Sequence, residues 1–142
     1  MRWAVCSALL LASAMAASAE KNSAQLALNG ACPVCLIDAG NVSAGKEDIV
    51  SIYKGYTYRF PRPRTKAKFD ANPDRYAIQL EGYSPVSRAD GKDEKGDPAI
   101  YSVFNSRIYI FKDAKQKEEF DRKPEDFLEI RKADKPVPAK RS

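Results

Sequence analysis

One stretch of this sequence occurs twice, and the repeat limits the possible folds more than any other feature. The first copy has the aromatic pair Tyr58-x-Phe60, followed after eight residues by Phe69. The same pattern returns 51 residues later as Tyr109-x-Phe111 and Phe120. Self-similarity at a fixed period indicates one supersecondary unit repeated in tandem. We therefore predict two units of about fifty residues each.

A second repeat lies upstream of the aromatic one. Residues 26–35 align with residues 78–87 at a spacing of 52. In this alignment Cys32-Pro33-Val34-Cys35 corresponds to Ser84-Pro85-Val86-Ser87. Both copies keep the proline that suits the first turn of a helix, and two thiols in the first copy become two hydroxyls in the second.

Each copy combines strand-like and helix-like segments. Runs rich in aromatic and β-branched residues predict strands at 49–53, 56–60, 100–104 and 108–111, with a weaker strand at 26–28. Capping residues and first-turn prolines predict helices at 65–70, 74–80, 114–121 and from 124 to about 130. Cys32 and Pro33 predict a further helical turn that runs to Ala39 and stops at Gly40. The expected fold class is α+β, with two tandem ββα-type units packed about a shared core. The predicted core consists of Tyr58, Phe60, Phe69, Tyr76, Tyr109, Phe111 and Phe120.

The N-terminus has the features of a secretory signal peptide. A basic residue, Arg2, precedes the apolar run from Trp3 to Met15, and Ala17-Ser18-Ala19 is a small-x-small cleavage pattern. We expect cleavage after Ala19, a secreted or periplasmic protein, and no transmembrane segment in the mature chain. The predicted organisation is a signal peptide at 1–19, a first repeat at 20–80, a second repeat at 81–130 and a disordered basic tail at 131–142.

Composition excludes several kinds of active site. The chain has no histidine, and both methionines lie within the predicted signal peptide. Ser-His-Asp triads, Cys-His pairs and His-ligated metal sites therefore cannot form. The net charge is +5, with acidic and basic residues interleaved, so we expect no nucleic-acid partner.

The motifs of the two copies resemble those of the YHS family. In the second copy these are Gly82-Tyr83-Ser84-Pro85-Val86, Tyr109-x-Phe111, Phe120 and Pro124-Glu125. The resemblance implies a small domain that is often secreted or associated with a metal. Metal-binding members carry Phe-Cys-x-x-x-Cys-x-x-x-Phe. This chain has Pro61 and Thr65 at the two cysteine positions of the first copy, and Lys112 and Gln116 in the second.

The remaining candidate site is the thiol pair Cys32 and Cys35. In an oxidising compartment the pair could be a local structural disulfide. As two soft donors it could hold a soft metal ion such as copper, although a closed zinc site would need two more ligands. A thiol–disulfide redox pair is the third possibility.

These observations predict a secreted, non-enzymatic, YHS-like module without catalytic residues. It would bind a soft metal ion through Cys32 and Cys35, or a partner such as an envelope protein. The alternatives are a redox protein that uses the same two cysteines, or a purely structural disulfide.

Overall fold

The computed structural model describes residues 24–133, and its elements confirm the predicted α+β class. In the first half, the short strand β1 (Gln25–Leu26) leads through a turn (Ala27–Gly30) to a π-helical turn (Cys35–Ala39). The hairpin β2 (Lys46–Tyr53) and β3 (Tyr56–Phe60) follows, and then the helices α1 (Pro63–Ala71) and α2 (Pro73–Tyr76).

The second half has the same order of elements. A turn (Leu80–Gly82) precedes helix α3 (Pro85–Ala89), which occupies the position of the π-helical turn. The hairpin β4 (Asp97–Phe104) and β5 (Arg107–Phe111) then leads to helices α4 (Ala114–Arg122) and α5 (Pro124–Ala133).

The strand pairings also correspond between the halves. In the first sheet the order is β1-β3-β2, with β1 parallel to β3 through Leu26 and Thr57. In the second half β4 pairs with β5, and a single parallel bridge from Ile78 to Ile108 takes the place of the β1 pairing. Both hairpins turn through two residues with positive φ, at 54–55 and 105–106, between the predicted strands.

Close backbone approaches recur at equivalent glycines. A Cβ atom on Gly45 would overlap the backbone of Arg59, and one on Gly96 would lie 2.8 Å from the backbone of Ile110. The amide of Gly45 donates to the carbonyl of Gly30, and the amide of Gly96 donates to that of Gly82, both at 2.8 Å. These contacts hold the chain that enters each hairpin against the turn that precedes it.

The helix predicted for residues 74–80 is wrong, because α2 ends at Tyr76. Ile78 leaves the helix to bridge Ile108, and its amide donates to the hydroxyl of Tyr58 at 2.9 Å. Leu80 and Glu81 then take left-handed backbone angles. The strand predicted at 26–28 is likewise shorter, since Leu28 is left-handed and only Gln25–Leu26 pairs.

One phenylalanine lies at the centre of each aromatic cluster. The ring centroid of Phe69 lies 4.7 Å from that of Tyr58 and 5.3 Å from that of Phe60. Phe120 lies 5.0 Å from Phe111 and 5.5 Å from Tyr109. All the predicted core aromatics are buried: Tyr58, Phe60, Phe69, Tyr76, Tyr109, Phe111 and Phe120.

The two clusters are not divided strictly between the halves. The cluster around Phe69 includes Ile108 and Ile110 from the second hairpin. The second cluster, around Phe120, gathers Val86, Tyr109 and Phe111. Side chains of the second half thus complete the core of the first.

The predicted signal peptide lies outside the described residues, as do residues 134–142 of the predicted tail. Helix α5 continues to Ala133, three residues past the predicted boundary at 130. Within residues 24–133 no helix is long and apolar enough to cross a membrane.

Candidate functional site

The two cysteines lie at the start of the helical turn that the sequence predicted. Residues 33–39 are helical, and the turn ends at Gly40, which has a φ of 66° and donates its amide to the carbonyl of Cys35. The amide of Cys35 donates to Sγ of Cys32 at 3.3 Å. Cys32 therefore caps the turn, and its own amide is held by the carbonyl of Ser43 at 2.8 Å.

The two thiols differ in their exposure to solvent. Cys32 is 0% exposed, whereas Cys35 is half-buried, and both are free thiols in the structure. Burial raises the pKa of the Cys32 thiol to about 12, and the adjacent Cys35 thiol adds to the rise. A reagent or ligand that approaches from solvent therefore meets Cys35 first.

Cys35 opens onto a cavity of about 200 Å³ between its own turn and α1. We call this space the Cys35 cavity. Its walls are formed by Val34, Cys35, Asp38, Ala39, Arg64, Thr65 and Lys68.

Asp38 links the helical turn of residues 33–39, which we call the cysteine turn, to the adjacent helices α1 and α2. Its carboxylate accepts hydrogen bonds from the Tyr76 hydroxyl at 3.1 Å and from Lys68 Nζ at 2.9 Å, and Arg75 lies 3.4 Å away. Lys68 above all, with Tyr76 and Arg75, lowers the pKa of Asp38. The carboxylate is thus ionised and engaged at neutral pH, and it positions the wall of the Cys35 cavity.

The equivalent place in the second half holds a continuous set of hydrogen bonds. Ser84 Oγ accepts from the amide of Ser87 at 3.4 Å, as Cys32 does from Cys35. Ser84 donates to Gln116 Oε1 at 2.7 Å, and Gln116 Nε2 donates to Ser87 Oγ at 2.9 Å. The amide of Gln116 therefore bridges the two serine oxygens.

Charged groups complete this second-half cluster. Ser87 donates to Glu94 at 2.9 Å, and Lys112 Nζ pairs with the other oxygen of the same carboxylate at 2.9 Å. The structure thus brings Ser84 and Ser87, the counterparts of the two thiols, together with Lys112 and Gln116, which stand at the two cysteine positions of the family motif. Every one of these side chains has a partner, which is what a structural polar cluster requires.

Thr65 accounts for the difference between the halves. It stands where Gln116 stands in the second half, is shorter, and donates its hydroxyl to the carbonyl of Arg62 at 2.7 Å. Thr65 therefore cannot bridge the two thiols in the way that the amide of Gln116 bridges the two serine oxygens. Thr65 instead forms part of the wall of the Cys35 cavity. Pro61, the other predicted counterpart, is not among the residues that line it.

The donor set of this site is small and soft. Among the side chains that the structure describes, those of residues 24–128, no group of three or more His, Cys, Asp or Glu is placed to hold a metal ion. Two thiolates suit a soft ion of low coordination number such as Cu(I), and they are too few for a closed zinc site.

Sequence reasoning found the thiol pair and its turn but missed the cavity and its basic wall. The aligned repeat did carry a signal, because Thr65 in place of Gln116 predicts unfilled volume next to the cysteines. Comparison with protein family models, curated proteins and solved structures returns no match. The function therefore has to be argued from the geometry of the site.

Proposed function

We propose that this protein is a secreted, non-enzymatic module of YHS type that holds a soft metal ion, such as Cu(I), between Cys32 and Cys35. The observation that carries the proposal is the difference between the halves. The half with thiols has an accessible cavity beside Cys35. The half with serines has a glutamine amide at the corresponding point.

Burial, which raises the pKa of Cys32, opposes formation of the thiolate, but two other features of the site favour an anionic Cu(I)–thiolate complex. Binding requires both thiols to lose their protons, and a Cu(I) ion with two thiolates is an anionic complex. The amide of Cys35, which already donates to Cys32 Sγ, stabilises negative charge on that sulfur. Arg64 in the cavity wall offsets the charge of the complex, whereas Lys68 is already paired with Asp38.

The decisive variant is Thr65→Gln, which copies Gln116 into the thiol half. The expected result is a loss of at least about tenfold in Cu(I) affinity, or about 1.4 kcal/mol, because the amide would occupy the space between the sulfurs. Thr65→Ser is the matched control, since it keeps the hydroxyl that bonds Arg62. The measurement is an anaerobic Cu(I) titration of each reduced protein, with Cys6→Ser present throughout. The double variant Cys32→Ser, Cys35→Ser is titrated in parallel as the protein without the site. Equal binding by all of these proteins, or binding by none, would eliminate the metal site.

The secretory address is part of the same proposal and rests on residues 1–19. When the full chain is expressed in a secreting host, we expect the exported protein to begin at Glu20. Intact-mass analysis of the exported protein checks this, and a chain that keeps Met1 to Ala19 would contradict it.

The second candidate function is thiol–disulfide exchange, and the unequal exposure of the thiols favours it. Cys35 as thiolate would attack a partner disulfide, forming a mixed disulfide and releasing one partner thiolate. Cys32, after losing its proton, would displace the second partner thiolate and leave a Cys32–Cys35 disulfide. The reduction potential of the pair distinguishes the roles, because structural disulfides in secreted proteins lie below about −300 mV and catalytic ones lie higher.

A further inference from the structure

We infer that the Cys35 cavity favours the entry of anionic species over neutral ones. The soft ion would then be delivered by an anionic carrier, namely a small complex in which the ion is bound by thiolates that also bear carboxylate groups. This inference rests on the proposed function for the identity of the ion. The charge selection itself follows from the wall of the cavity and holds for any thiol-reactive reagent.

The first support is a basic side chain in the cavity wall that has no ion-pair partner in the described part of the chain. Lys68 in the wall is paired with Asp38 at 2.9 Å, and Lys66 on the same helix is paired with Asp70 at 2.5 Å. Arg64, which is exposed and also lines the cavity, has no ion-pair partner among residues 24–128, whose side chains the structure describes. Its guanidinium remains available to a carboxylate that enters beside Cys35.

The second support is that this excess of positive charge belongs to the thiol half. Helix α1 carries three basic residues and one acidic residue. Its counterpart α4 carries three of each, and Glu119 there stands at the position of Lys68. The half that lacks thiols therefore lacks the excess.

The third support is that the only acidic group in the wall is already engaged. Asp38 forms ion pairs with Lys68 and Arg75 and accepts a hydrogen bond from the hydroxyl of Tyr76, so its negative charge is compensated. An incoming anion thus meets Arg64 with little opposing charge. Because Cys32 is buried, the sulfur that it reaches first is that of Cys35.

The transfer step is a ligand exchange without oxidation or reduction. Each carrier thiolate that leaves the ion is replaced by a protein thiolate, first Cys35 and then Cys32. The two protons lost by the protein thiols pass to the two released carrier thiolates.

The test needs no metal, so it is independent of the proposed function. The reduced full chain with Cys6→Ser is treated, in separate reactions, with two aromatic disulfides. One disulfide is a dianion that bears two carboxylates, and the other is a neutral analogue. Cys35 forms a mixed disulfide with one aryl thiolate and releases the other, whose absorbance gives the rate. Cys32 then displaces the second aryl thiolate. The measured quantity is the ratio of the two rate constants, anionic over neutral, which cancels differences in simple accessibility.

The expected ratio falls as salt is raised, since the Debye length shortens from about 30 Å at 0.01 M to about 3 Å at 1 M. Arg64→Glu should lower the low-salt ratio by about tenfold, within the range of electrostatic steering. Arg64→Gln should lower it by a smaller factor in the same direction. Lys115→Glu, the same charge change at the equivalent position of α4, should leave the ratio within about twofold.

A ratio that Arg64→Glu leaves unchanged, or that Lys115→Glu lowers as much, would overturn the inference. Failure of the proposed function looks different, because Cu(I) would not bind although the ratio still depended on Arg64. Conversely, if Cu(I) bound normally and the ratio of anionic to neutral rate constants did not change in the Arg64 variants, only the inference of anion selection would be contradicted.

Discussion

At the scale of single residues, Tyr58 connects the aromatic core to the link between the halves. Its side chain is 1% exposed, and its hydroxyl accepts the amide of Ile78 at 2.9 Å. Burial raises the pKa of Tyr58 well above its ordinary value, with the hydrogen bond from Ile78 acting in the opposite direction. The phenol therefore stays protonated in the folded protein and satisfies a buried backbone donor.

Tyr58→Phe should lower the free energy of unfolding by about 1–3 kcal/mol, because the amide of Ile78 loses its partner in a buried place. Tyr53→Phe is the control, since that hydroxyl bonds Asp74 at the surface and its loss should cost about 1 kcal/mol or less. Urea unfolding near pH 7 measures both variants. Equal costs for the two would show that the buried bond to Ile78 contributes no more than a surface hydrogen bond.

The same comparison has a defined pH dependence. The pKa of Tyr58 is raised on folding, so the stability it contributes is complete below the unfolded value of about 10 and is lost as pH rises through the folded pKa. The difference between the native chain and Tyr58→Phe should therefore narrow above pH of about 10. A difference that grew with alkalinity would contradict this assignment.

Residue-level prediction from the sequence succeeded where burial alone decides. Tyr58, Phe60 and Phe69 are core residues because large aromatic side chains at strand and helix positions are most stable away from water. The partner of the Tyr58 hydroxyl could not be predicted. The sequence pattern predicts a helix over 74–80, whereas the observed position of Ile78 depends on a pairing with Ile108, thirty residues away in sequence.

At the scale of elements, the cysteine turn and α3 are two versions of one structure. Pro33 and Pro85 open them, and Sγ of Cys32 and Oγ of Ser84 each accept the amide three residues on. The sequence predicted the cysteine turn and its end at Gly40 from local chemistry. The cavity could not be predicted from that turn, since its volume depends on Thr65, which reaches it from a different helix.

This correspondence predicts that the site can be transplanted. Ser84→Cys, Ser87→Cys, Gln116→Thr should bind a second equivalent of Cu(I), because two thiols and a short side chain would then occupy equivalent positions in both halves. The control is Ser84→Cys, Ser87→Cys with Gln116 retained, which should bind one equivalent. Anaerobic titration gives the stoichiometry, with circular dichroism to verify folding. If the triple variant folds and still binds a single equivalent, the role assigned to Thr65 is wrong.

At the scale of the whole molecule, the two halves depend on each other for their cores. Ile108 and Ile110 of the second hairpin pack into the cluster around Phe69. Tyr56 of the first hairpin lies against Gly82, where a Cβ atom would overlap its hydroxyl. The sequence predicted the α+β class and the period of the repeat. Which face of one half meets the other depends on long-range contacts that no local pattern specifies.

The consequence is that the first half should not fold alone. A fragment of residues 20–80 has about 60 residues, a size at which a domain buries only about 60% of the surface of its unfolded chain and is marginally stable. It would also lack Ile108 and Ile110, leaving Tyr58 and Phe69 partly open to water. Its thermal transition, followed by circular dichroism, should therefore be broad and uncooperative.

A point substitution tests the same dependence in the intact chain. Ile110→Ala removes a side chain that is 0% exposed and should cost about 2–5 kcal/mol. Because Ile110 packs in the cluster of the first half, amide hydrogen exchange should accelerate in β2 and β3 as well as in β4 and β5. Val103→Ala, at a position on β4 that is 41% exposed, is the control and should leave exchange in β2 and β3 unchanged. A cooperative melt of the 20–80 fragment, or exchange that accelerates only in the second half, would mean that the two units are independent and merely adjacent.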